Sequence, residues 1–231
     1  MKLTWMKWSA LPVAVLMAGS VALAQDQPSP GSQPAPQAQS ESPSATPAPA
    51  EKPKPTVAQR KENQQDRIAN GVQSGQLTAG ETANLEKKEA AINKETAADR
   101  AANGGKLTAS EKKQVNHQQN GVSKQIYADK HNANTAHYGN NRVGQRRENQ
   151  QDRIAQGVKS GQMTAGEAAK AETQQKHISK QVAADRKANG GTLTASEKKQ
   201  INKEQNAASK NIYNKKHNAK TQPQAQAQPK P

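Results

Sequence analysis

Asn103-Gly104-Gly105-Lys106-Leu107-Thr108-Ala109-Ser110-Glu111 is the stretch that decides the fold class. An asparagine followed by glycines suits a left-handed helix stop. Thr108 with Glu111 three residues on is the capping-box arrangement that starts a new helix. The segment therefore reads as helix, tight turn, capped helix. Asn189 to Glu197 repeats it with one change, Lys106 to Thr192. Looser versions run through Gly75 to Glu81 and Gly161 to Glu167, again with Thr78 and Thr164 three residues before a Glu. Asn70-Gly71 and Gln156-Gly157 offer further helix stops upstream of those caps. The spacing predicts helices near 57–70, 79–103 and 109–132, then 143–156, 165–189 and 195–218. Alternation of β-branched or aromatic residues, the strand signal, never appears.

The recurrence is general. Residues 57–135 laid on 143–221, an offset of 86, give 52 identities in 79 pairs without a gap. The expected architecture is all-α, with tandem duplicated modules of about three helices each. Module 1 is 57–136, a linker is 137–142, and module 2 is 143–222. Helical periodicity predicts the buried stripes. Val115, Gln119, Val122 and Ile126 lie on one face of the third helix, matched by Ile201, Gln205, Ala208 and Ile212. On the second helix Leu85 and Ile92 keep heptad spacing, with Thr82, Glu89 and Thr96 filling the seam. Polar residues in the seams make the interface lean.

Composition bounds what such a chain can do. Of 231 residues only 2% are aromatic, and there is no Phe and no Cys. Disulfides, Cys metal sites and Cys nucleophiles are thereby excluded. Lys2 and Lys7, an apolar run from Ala10 to Ala24 and Ala22-Leu23-Ala24 read as a signal peptide over 1–24, cut before Gln25. Secretion or a periplasmic location follows, with no transmembrane segment in the mature chain. Residues 25–56 hold nine of the thirteen Pro and form a Pro/Ala/Gln/Ser-rich linker expected to be disordered, as is the tail 223–231. After Gln25 only 19 residues are Ile, Leu, Val or Met, too few to line an ordinary apolar enzyme pocket.

Gly105-Lys106-Leu107-Thr108-Ala109-Ser110-Glu111 resembles the second half of an EF-hand calcium loop, which also lies between two helices. The resemblance implies helix-loop-helix units. In the loop's first half, oxygen-bearing positions are taken by Arg100, Ala102 and Gly104, and in the preceding unit by Asn70, Val72 and Ser74. Calcium needs six to eight oxygens, several anionic, so the units are calcium-ligand-depleted and no cofactor or metal is expected. Nor is catalysis expected. His117, His131, His137, His177 and His217 show no zinc-ligand spacing, and no nucleophile elbow or phosphate loop occurs.

Charge is the strongest functional signal. Thirty-four Lys and Arg oppose 19 Asp and Glu, and the formal net charge is +15. Lys199, Lys203, Lys210 and His217 fall within about 40° of one another at 100° per residue, away from the apolar stripe. Lys113, His117, Lys124 and His131 repeat that ridge, with Tyr127 and Tyr213 at its edge. Arg142, Arg146, Arg147 and Arg153 make a second basic cluster between the modules. The expected partner is an anionic polymer or surface: a cell-envelope polymer, lipid headgroups or extracellular nucleic acid. The chain thus reads as an exported, non-enzymatic polyanion binder, with self-association compatible. The alternative is a hydrophilin-like stress protectant, resembling late-embryogenesis-abundant proteins, with conditional helices.

Overall fold

Among the described residues every helix starts on a side-chain cap. The computed structural model describes residues 54–222; the leader 1–24, residues 25–53 and the tail 223–231 lie outside the described residues. Within them run α1 (Val57–Gln73), α2 (Ala79–Ala102), α3 (Ala109–Lys130), α4 (Arg142–Lys159), α5 (Ala165–Ala188) and α6 (Ala195–Lys216), and the described residues hold no strand. Thr78, Thr108, Thr164 and Thr194 each accept from the amide three residues on, and the Glu there reaches back to the cap amide. Thr56 does the same with Gln59, and Asn141 caps α4 by accepting from the Gly144 amide.

Two expected helix stops are corrected. Gly71 and Gly157 do not end their helices; α1 runs on to Gln73 and α4 to Lys159. The chain turns instead at Gly75 and Gly161, with φ of 71° and 69°. Gly71 and Gly157 serve close approach. A Cβ on Gly71 would sit 2.7 Å from Leu77 Cδ1, and one on Gly157 2.7 Å from Met163 Sδ. These are the side chains that fold back from the turn, tied by Leu77 N–H to the Gly71 carbonyl and Met163 N–H to the Gly157 carbonyl, both at 2.9 Å.

The helices pack by counterpart. Along the 86-residue offset, α1 lies against α4 and α2 against α5, while α3 rests on α1 and α2, and α6 on α4 and α5. Contacts across the centre are reciprocal: Gly80 faces Lys176, and Gly166 faces Ala90, the position 86 before Lys176. Such reciprocity is the geometry of an isologous interface, realised within one chain. One apolar cluster runs through both halves, joining Ile68, Leu77, Leu85 and Ile126 to Ile154, Met163 and Ile212. Val143, Ile178, Val182, Leu193, Ile201 and Ala208 make a smaller cluster in the second half. Every seam residue expected from periodicity is buried, including Thr82, Glu89, Thr96, Gln119 and Gln205.

The buried glutamines at these seams are tied to backbone. Gln64 Nε2 donates to the Gln119 carbonyl at 2.7 Å, and Gln150 Nε2 to the Gln205 carbonyl at 2.6 Å. Gln119 and Gln205 in turn donate to the carbonyls of Val57 and Val143, each at 2.9 Å. These bonds lock the first turn of α1 to α3 and that of α4 to α6. A lean core gains its specificity this way, because a misplaced helix would strand buried amides.

Candidate functional site

The ridge on α3 and α6 is built from residues the helices cannot bury. The apolar stripe of α6, from Ile201 to Ile212, faces α4 and α5, so Lys199, Lys203, Lys210, Tyr213 and His217 on the other side are exposed. Lys113, Lys124, Tyr127 and His131 are exposed in the same way on α3. Among the described residues Tyr127 and Tyr213 are the large hydrophobic residues left most open, at 62% and 56% exposure. Each ring stacks on the histidine one turn later, Tyr127 on His131 and Tyr213 on His217, with centroids 4.1 Å apart. Each His Nδ1 donates to the tyrosine carbonyl, at 2.7 Å and 2.8 Å. The histidines thus close the last turn of α3 and α6 and hold a flat aromatic pair beside the lysines.

The basic cluster on α4 is differently placed. Only Arg142 is fully exposed. Arg146 Nη1 donates to Asn202 at 3.2 Å and its Nη2 to Asn206 at 2.5 Å, both on α6. Arg147 Nη2 donates to Ser179 of α5 at 2.6 Å, and its guanidinium lies 5.3 Å from the Tyr138 ring centroid. Arg153 donates to Ser209 Oγ and carbonyl. Three members of the expected patch, Arg146, Arg147 and Arg153, are therefore cross-braces inside the second half, and Arg142 stays exposed. Arg60 to Asn120 and Arg67 to Ser123 do the same in the first half.

Three buried carboxyls lie at the centre, where sequence reasoning singled out only Glu89, as seam filler. Glu86 on α2 and Glu172 on α5 occupy the same repeat position and are fully buried. Gln65 Nε2 donates to Glu86 at 3.2 Å, and Gln151 Nε2 to Glu172 at 2.8 Å. Burial pushes both carboxyls up, Glu172 to about 8 and Glu86 well above its ordinary value, where the charges of Glu89 and Glu172 add to the effect. Glu89 is raised by burial to about 7, against the pull of Lys61. A usable signal existed: from Asn84 to Ala91 the repeats differ at every position except Glu86. Among the described residues no group of three or more His, Asp or Glu has a metal-holding arrangement.

Beside this centre a cavity of about 370 Å³ opens between the first turn of α2, the connector 135–138, α4 and α5. Arg147, Lys176, Lys180 and His137 line it, along with the buried Gln151 and Gln175. Burial raises the Tyr138 hydroxyl well above the usual phenol range, so the ring is neutral where it covers Arg147. No family model matches the chain, and neither a curated protein nor a solved structure resembles it. Among the described residues no helix is long and apolar enough to cross a membrane.

Proposed function

We propose that this chain is an exported, non-enzymatic protein that attaches to anionic polymer through the ridges of α3 and α6. The observation that carries the reading is the pair of exposed Tyr–His stacks, each set in a line of exposed lysines and repeated once per half. Solubility alone accounts for lysines on an outer helix, but it favours no exposed aromatic rings. A stacked ring beside cations suits a flexible polyanion, since neutralised charges release counterions while the ring supplies salt-independent contact. Thirty Lys and Arg against 16 Asp and Glu in 54–222 add long-range attraction.

The test is a salt titration of binding to a phosphate polymer. Lys113, Lys124, Lys199 and Lys210 changed to Gln are compared with Lys94, Lys112, Lys187 and Lys198 changed likewise. Both sets remove four exposed charges, so distant attraction falls equally. The ridge set should flatten the log–log salt slope by about 3 to 4, the control set by clearly less. Tyr127→Ala with Tyr213→Ala should weaken binding by about 1–3 kcal/mol per ring without changing the slope. Equal slopes for the two lysine sets reduce the ridge to nonspecific charge. No binding by the parent near physiological salt ends this reading in favour of the protectant.

A further inference from the structure

We propose that the cavity bounded by α2, the 135–138 connector, α4 and α5 binds a small hydroxylated organic anion, such as a sugar acid or a phosphorylated polyol. The two halves of the molecule serve as each other's control. At one repeat position stand Lys61 and Arg147; at another, Glu89 and Gln175. In the first half the half-buried cation has a carboxylate to answer it, since Lys61 and Glu89 act on each other electrostatically. In the second half the carboxylate is gone and the cation is kept. Arg147 makes no ion pair among the described residues; it has Ser179, the face of Tyr138 and a buried Nε without a partner. A largely buried guanidinium with no counterion is costly unless an anion arrives from outside.

Charge has been added around it as well. Lys176 stands where the first half has Ala90, and its aliphatic chain lies across Gly80 at the start of α2. Lys180, which Lys94 matches in the first half and which is therefore no gain, lies one helical turn further on and also lines the cavity. Neither Asp nor Glu is among the lining residues. A second kind of vacancy argues for hydroxyls on the anion. Gln151 and Gln175 are 2% and 1% exposed, both line the cavity, and the Oε1 of each has no donor. A bare anion leaves those acceptors unmet; hydroxyl groups satisfy them. The volume of about 370 Å³ lies within the range of small-ligand sites, roughly 300–1,000 Å³.

Calorimetry on the mature chain with glycerol 3-phosphate and galacturonate tests the assignment, with glycerol and inorganic phosphate as controls. At least one of the hydroxylated anions should bind with a sub-millimolar Kd, and both controls at least about tenfold more weakly. Gln175→Glu supplies the internal counterion of the first half, and Lys176→Ala installs its Ala90. Both residues are thus already accommodated at the matching place, and thermal melts confirm folding. Each variant should weaken binding about tenfold or more, equivalent to about 1.4 kcal/mol. The ridge variant lacking Lys113, Lys124, Lys199 and Lys210 should bind the small anion within about twofold of the parent, which separates this site from polymer attachment. A galacturonate oligomer that binds as the monomer does supports the end unit of a polymer as ligand; a monomer-only result supports a free molecule. Absence of binding by both anions, equal binding of inorganic phosphate, or affinity unchanged in folded Gln175→Glu and Lys176→Ala overturns the proposal.

Discussion

Glu172→Gln should stabilise the protein at pH 8 and leave it unchanged at pH 4.5. Glu172 is fully buried against α2, receives one hydrogen bond, from Gln151, and has its carboxyl raised from 4.5 to about 8 by burial. A carboxyl raised in the folded state makes the native protein bind more protons than the unfolded chain. Stability from this group is complete below pH 4.5 and declines as pH rises toward 8. At about 1.4 kcal/mol per pKa unit the full loss is about 5 kcal/mol. Glu89, raised to about 7, contributes roughly 3 kcal/mol more between pH 4.5 and 7, and Glu86 shifts in the same direction. The groups facing this centre are the amides of Gln65 and Gln151, the Lys61 ammonium and the neutral Tyr138. Such losses are large against a typical net stability of about 5–15 kcal/mol. The Glu81 and Glu167 carboxylates are held below their ordinary value by the Thr78 and Thr164 caps and by Asn132 and Asn218, and burial only partly opposes this. Their stabilisation disappears as pH falls below 4.5, so maximum stability lies near pH 4.5–5. Urea unfolding followed by helical circular dichroism at pH 4.5, 6, 7 and 8 measures the slope. The Gln amide keeps an acceptor for Gln151, so the variant should gain about 2–4 kcal/mol over the parent at pH 8. A parent whose stability is flat or rises from pH 5 to 8 refutes the reasoning, as does a variant with the parent's slope.

Thr108→Ala and Thr194→Ala remove the acceptors for the Glu111 and Glu197 amides and should each cost about 1 kcal/mol in urea unfolding; a double variant that melts like the parent refutes the caps. Gly71→Ala gains about 1 kcal/mol of helix propensity but drives a Cβ to 2.7 Å from Leu77, and overpacking of about 1–3 kcal/mol should make the net effect destabilising. Gly121→Ala is its control: nothing lies within 4 Å of the new Cβ, Ala207 stands at the matching repeat position, and unfolding should become harder by about 0.5–1 kcal/mol. Equal melting shifts in the two glycine variants contradict the close-packing role of Gly71.

Where helices begin was legible because a capping box is local. Thr108 and Glu111 satisfy each other's amides within one turn, whatever packs above them. Where α1 and α4 end was not, because Asn70-Gly71 and Gln156-Gly157 carry the same dipeptide signal as a true stop. Their glycines are small for the sake of Leu77 and Met163, whose return from the next turn is a contact no local rule contains. The ridge lysines on α3 and α6 could be placed from 100° periodicity alone, since an outer helix exposes whatever its apolar stripe does not claim. Arg146 and Arg147 could not. Their partners Asn202 and Ser179 are 56 and 32 residues away.

Residue order alone determined that the described chain is helical, that its halves match at an offset of 86, and which stripe of α2, α3 and α6 is buried. Those properties depend on hydrogen bonds within a turn and on side-chain periodicity, both readable from neighbours. Tertiary structure decided that α2 lies along α5 and α1 along α4. That pairing brings Glu86 and Glu172 into a common interior, raises their carboxyls, and leaves a half-buried Arg147 lining one cavity with Gln175 where the other half has Lys61 acting on Glu89. Desolvation and missing counterions are properties of what surrounds a group in space, and the chain's order does not record them.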